Sequence, residues 1–270
     1  MTNNTSRRFY VDTSLGQMHG QIYPNKGQTI VCLHPMPYSG RYYETFCKTL
    51  TETTSFSSLC LDMIGYGQSA SINNPISIQD YARSVIEALD QLISDKFINK
   101  DISLLGFHTG SAIANEIAVM EPKMINKLIF VTYPYFEASD RKERLDSIGK
   151  TVLDENIESL RSMWDFSVAN RAEGVLLERA LSNFTDQLQS TTKGWFGFDS
   201  MFNYPSEERL LLQKKPTLIL NDQSSLTEPT SQANEVIQDS YYVELENTKG
   251  AIFELNTDQI IHHISEFLLT

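Results

Sequence analysis

The chain has 270 residues, 41% hydrophobic and 21% charged, a soluble globular mix that excludes disordered and collagen-like classes. Its formal net charge of −12 sets the surface against phosphate backbones and anionic lipid, so neither nucleic acid nor a membrane is an expected partner. No run approaches the ~18 apolar residues of a membrane span, and the segment Met1–Arg8 lacks the apolar stretch of a secretion signal.

Three cysteines at loose spacing argue against a disulfide framework or a zinc site, and a reducing cytoplasm is the expected location. Two short strands open the chain, Phe9 to Asp12 and Met18 to Tyr23, joined by a turn at Ser14-Leu15-Gly16. Continuous apolar runs follow at Thr29–Leu33, Ser58–Leu61, Ile102–Leu105 and Lys127–Val131, then at Thr217–Leu220 and Tyr241–Leu245. Continuous hydrophobicity predicts strands covered on both faces, as in a parallel sheet. Helical spacing lies between them. Tyr81, Val85, Leu89 and Leu92 share a face of Ile78–Ile93, with Ser77 and Asp80 resembling a capping box. Ile113, Ile117 and Met120 repeat likewise, as do Ile260, Ile261, Ile264, Phe267 and Leu268. The alternation predicts an α/β sheet. It breaks from about Tyr135 to Tyr204, where helices are expected over Asp154–Phe166 and Arg171–Leu188 and no strand is convincing. No repeat or linker marks a second independent domain.

Ligands of such a sheet sit beyond the carboxyl ends of its strands. After the run at Ile102–Leu105 comes Gly106-Phe107-His108-Thr109-Gly110-Ser111, the strand–turn–helix shape of a nucleophile elbow with histidine at its apex. Histidine tolerates the positive φ of that position better than most residues. The plain alternative is a glycine-rich turn with an incidental histidine. Two further loops are Leu33-His34-Pro35-Met36-Pro37-Tyr38-Ser39-Gly40 and Asp62-Met63-Ile64-Gly65-Tyr66-Gly67-Gln68-Ser69.

These three segments, in this order, resemble the α/β-hydrolase superfamily over the whole chain. The resemblance implies the α/β-hydrolase fold: an eight-stranded, mostly parallel sheet, with core segments 1–134 and 205–270 and a helical cap at 135–204. His34–Pro37 is similar to the family's oxyanion loop, with Pro35 replacing glycine. Asp62–Ser69 is similar to its Asp-x-x-Gly-x-Gly-x-Ser turn. The family's triad is altered at all three positions: His108 stands at the nucleophile, Ser225 (or Ser224) at the acid, and Lys249, by its spacing to Glu254, at the catalytic histidine. Asp222 and Glu228 flank the acid position, and Glu137 is a further candidate for a relocated acid. Ser-His-Asp acyl transfer cannot run on this set.

The backbone oxyanion donors survive these changes: Thr109 N–H, and Met36 N–H because Pro35 and Pro37 have none. The resemblance implies an apolar pocket with His34, Tyr38, Tyr42, Phe107, Ser111, Tyr133, Tyr135, Trp164 and Trp195 around it. His34 otherwise packs structurally, Ser111 otherwise satisfies the helix start, Asp62 reads as structural, and His262 and His263 read as surface or core edge. A Lys249 cation near His108 would lower both pKa values. No metal-ligand spacing and no phosphate cradle is present, so neither metal nor cofactor is expected. Two functions stay open. One is His-based proton transfer on a small apolar or aromatic molecule, by elimination, cyclisation, carbon–carbon cleavage or water-mediated hydrolysis. The other is a catalytically dead pseudo-hydrolase that binds a small molecule or a protein partner, as monomer or homodimer.

Overall fold

The computed structural model describes residues 6–150, 154–248 and 250–270. Eight strands form one sheet: β1 (Arg7–Thr13), β2 (Gly16–Tyr23), β3 (Thr29–Leu33), β4 (Ser57–Leu61), β5 (Ile102–Phe107), β6 (Leu128–Val131), β7 (Thr217–Asn221) and β8 (Ser240–Glu244). Their order across the sheet is β1-β2-β4-β3-β5-β6-β7-β8. The hairpin β1–β2 and the pair β2–β4 are antiparallel, and every later pairing is parallel.

The chain steps from β3 outward to β4, then returns past β3 to lay down β5. That reversal opens a crevice beyond the carboxyl ends of β3 and β5, where an open α/β sheet binds its ligands. β3 to β7 are buried along their length because their side chains feed two apolar layers. Val31, Leu33, Leu59 and Leu104 enter one layer, and Ile30, Cys32, Leu105 and Phe107 the other. β8 differs from the expected doubly covered strand. It is the sheet edge, and Tyr241 is 56% exposed.

The helices are α1 (Glu44–Thr53), α2 (Ile78–Ser94), α3 (Thr109–Met120), α4 (Ala138–Asp146), α5 (Arg161–Trp164), α6 (Leu177–Gln189), α7 (Phe196–Phe202), α8 (Ser206–Leu212), α9 (Thr227–Val236), α10 (Ile252–Leu255) and α11 (Thr257–Leu269). The capping box is formed: the Asp80 N–H donates to Ser77 Oγ at 3.1 Å, and the Ser77 N–H donates to Asp80 Oδ2 at 3.3 Å.

Between β6 and β7 the described residues are helices and turns without a strand. Two expectations there need correction. The helix sought at Arg171–Leu188 begins only at Leu177, because Gly174 takes φ +96°, outside the helical region. The stretch Asp154–Phe166 is a 3-10 turn at Ile157–Leu160, the short α5, and a π turn at Asp165–Ala169.

Candidate active site

β5 ends in the elbow. His108 adopts φ 50°, ψ −118° between the strand and α3, a conformation that costs a non-glycine residue roughly 1–3 kcal/mol. Its flanking glycines have steric reasons. A Cβ on Gly110 would lie 1.9 Å from the Leu33 carbonyl oxygen, and one on Gly106 would lie 2.4 Å from the Gly110 carbonyl. The elbow therefore presses against the end of β3, at the root of the 34–37 loop.

That loop is held by its histidine. His34 is fully buried; its Nε2 accepts the Met63 N–H at 2.9 Å, which leaves Nδ1 as the donor to the Pro35 carbonyl at 3.0 Å. Burial is the main cause of its lowered pKa. His34 is thus a strut between the loop and the turn after β4, and it does not line the cavity described below.

The turn after β4 is organised by Asp62, which accepts from His19 Nδ1 at 2.9 Å and from the Gly40 and Gln68 N–H groups at 2.8 Å each. Burial opposes its charge, but the His19 and Gln68 bonds outweigh burial and hold the carboxyl below its usual range. Gly67 at φ +54° is what lets the turn close, since a Cβ there would lie 2.2 Å from Asp62 Oδ2.

A cavity of about 620 Å³ opens above the elbow. Met36, Tyr38, Tyr42, Phe107 and His108 line it from the sheet side; Met163, Phe166, Trp195 and Phe198 line it from the helical insertion. The His108 ring lies 4.0 Å, centroid to centroid, from Phe107. Its Nε2 is buried without a hydrogen-bond partner, and burial lowers its pKa to about 4. At neutral pH the imidazole is uncharged. Lys249, expected beside it, lies outside the described residues.

Other expected site residues are placed elsewhere. Ser111 is fully buried, its hydroxyl donating to the Thr132 carbonyl at 2.8 Å, so it ties the start of α3 to the end of β6 rather than facing the cavity. Tyr133 is fully buried against Phe130, and neither it nor Tyr135 lines the cavity. Trp164 is 40% exposed and packs on Phe184, also off the cavity wall. Ser225 is exposed in the loop after β7; in that loop Asp222 is the buried group, its Oδ1 unpaired and its pKa raised by burial. Glu137 is exposed at the start of α4, and His262 pairs with Glu266 on α11 at 3.5 Å.

The structure also adds polar groups that sequence reading missed. Arg179 on α6 donates to Glu254 Oε1 at 2.6 Å and to the Arg41 and Tyr42 carbonyls at 2.7 Å each. Glu254 reaches the cavity wall, and burial raises its pKa against the pull of Arg179. Tyr38 Oη accepts from Gln187 Nε2 at 3.2 Å; its pKa is pushed up to about 12 by burial, with Asp186 and Glu254 adding to it. Asp186 binds the Ser39 hydroxyl at 2.7 Å and pairs with Arg41, clamping α6 onto the loop after β3. These residues are far apart in the chain, and no local pattern marks them.

No family model matches the sequence, and no curated protein matches it. Solved structures do. An esterase from Exiguobacterium antarcticum superposes with a TM-score of 0.77 at 15% identity, over 97% of this chain and 99% of its own. A bromoperoxidase from Bacillus anthracis gives 0.76 at 16% identity over 98% and 100%. An enol-lactonase from Burkholderia xenovorans gives 0.75 at 14% identity over 97% and 100%.

The chain has the α/β-hydrolase fold.

Within the α/β-hydrolase fold, the His108 turn stands at the end of the strand beside β3, where the sheet order reverses. No helix among the described residues is long and apolar enough to cross a membrane.

Proposed function

We propose that this α/β-hydrolase-fold protein acts on a small, mainly apolar molecule carrying a carbonyl, with His108 as the proton acceptor and the Met36 and Thr109 N–H groups as oxyanion donors. The observation that carries this reading is the neutral His108 imidazole, held at a strained apex on the cavity wall with its Nε2 unpaired. Neither the Met36 nor the Thr109 N–H donates to another described group, so both are free for a ligand oxygen. Thr109 opens α3, where the helix offers no partner of its own.

An imidazole with a pKa near 4 is a weak base in the free protein. Negative charge developing on a nearby carbonyl oxygen favours the imidazolium, so the base strengthens as the proton is drawn from substrate or from water. Elimination, cyclisation, carbon–carbon cleavage and water-mediated hydrolysis all use that single step. None needs a serine, and Ser111 is occupied with the Thr132 carbonyl. The aromatic walls suit a flat or alicyclic ligand, and Glu254 with Arg179 adds one polar rim.

A small-molecule binding protein without turnover is the second reading. It is favoured by the lack of any hydrogen bond from a described residue to His108 Nε2, since a working base ordinarily has an orienting partner. The test is a panel of small aryl esters, enol-lactones and aryl ketones assayed with wild type and His108→Asn. General base action predicts a loss of about 10²–10⁴-fold in the variant, with a serine-directed phosphonate labelling neither protein. Equal turnover by the two proteins, or phosphonate on Ser111, contradicts the proposal; ligand binding without turnover selects the second reading.

A further inference from the structure

Cys32, Cys47 and Cys60 do not line the cavity and play no part in the reaction proposed above. Their spacing in the chain gives no sign of a site, yet the fold brings all three together. Cys32 on β3 and Cys60 on β4 are direct partners in the parallel ladder, and Cys47 reaches them from α1. Cys47 Sγ lies 3.1 Å from Cys60 Sγ and 3.9 Å from Cys32 Sγ, and all three sulfurs fall within 4.8 Å of one another. All three are free thiols and buried.

Metal–thiolate bonds of about 2.3 Å place the three sulfurs of a trigonal site about 4 Å apart. The observed triangle already has nearly that size, and Cys47 and Cys60 need separate by only about 1 Å to complete it. Zinc would want a fourth ligand, and no described histidine or carboxylate joins the three sulfurs. Sulfur-only, low-coordinate surroundings select a soft ion instead.

We propose that Cys32, Cys47 and Cys60 form a site for a soft monovalent metal ion, Cu(I), held by sulfur alone. Each cysteine loses its proton to solvent as its Cu–S bond forms, so copper binding releases protons and tightens as pH rises. No change of oxidation state is involved. Two strands and a helix fix the three sulfurs, which is the rigid support a metal site requires.

The test is anaerobic titration of the reduced full chain with Cu(I) against the chelator bicinchoninate. One Cu(I) per chain is expected, with new thiolate-to-copper absorption in the near ultraviolet. Cys47→Ser, Cys32→Ser and Cys60→Ser should each weaken retention by at least about 10-fold. His262→Ala/His263→Ala, which removes the exposed and half-buried imidazoles of α11, should leave it unchanged. Should a serine variant fail to fold, the wild-type chain decides alone: X-ray absorption of the copper-loaded chain must show copper surrounded by sulfur alone at about 2.3 Å, and nitrogen or oxygen ligands would overturn the site. Copper lost to the chelator, equal retention by folded Cys47→Ser, or a Cys47–Cys60 disulfide forming in place of bound copper would overturn the site.

Discussion

At the scale of single residues, the sequence motifs around the elbow mark backbone requirements that the structure makes explicit. Gly110 is the sharpest case, because any side chain there meets the Leu33 carbonyl. Gly110→Ala should cost about 1–3 kcal/mol or more, seen as a lowered urea midpoint, since neither the elbow nor β3 can yield without moving the other. Ser111→Ala should cost about 1 kcal/mol, the worth of its bond to the Thr132 carbonyl, while leaving turnover in the ester and lactone panel intact. His108, Asp62 and the two glycines of its turn could be read from the sequence because one short segment contains each requirement. The cavity's other polar members could not. Glu254 lines the cavity and Arg179, 75 residues away in the chain, is brought to it only by the fold. The three cysteines were likewise unreadable, since register between β3 and β4 creates the cluster.

At the scale of elements, strands were more legible than helices of the insertion. The run Thr29–Leu33 coincides with β3, because Ile30–Leu33 is unbroken apolar sequence and the whole strand is buried. In the insertion many apolar side chains face out, including Ile157, Leu176 and Leu177, so hydrophobic spacing there does not track burial. The joint between α3 and α8 carries a testable load. Glu116 is fully buried and accepts from Arg209 at 2.6 and 2.8 Å and from the Tyr204 hydroxyl at 2.9 Å. Arg209→Met strands that carboxylate and should cost about 3–5 kcal/mol in urea unfolding; adding Glu116→Gln should recover part of the loss. Equal stability of wild type and Arg209→Met would mean that the pair is not what joins the two helices.

At the scale of the whole molecule, the fold is shared with an esterase, a hydrolase and an enol-lactonase at 14–17% identity. The motif order was enough to read the sheet, because chain reversal at β3 and the elbow after β5 are properties of the backbone. The proposed reaction was not, because that proposal turns on what burial does to one imidazole. The helical insertion closes over that imidazole through Asp186, which joins α6 to Ser39 and Arg41. Asp186→Ala should loosen this closure, so that Trp195 emission, reporting from the cavity wall, shifts to longer wavelength and responds less to an added aromatic ligand. The central claim is that His108 is a neutral, desolvated base. A lowered histidine pKa means that protons favour the unfolded chain: the stability tied to this group is complete above about pH 6.5 and is lost as pH falls toward the folded value. The direct measurement is an NMR titration of the His108 ring, assigned by comparison with His108→Asn. A midpoint near 4 is the predicted result; a midpoint at or above the ordinary histidine value of about 6.5 would contradict it.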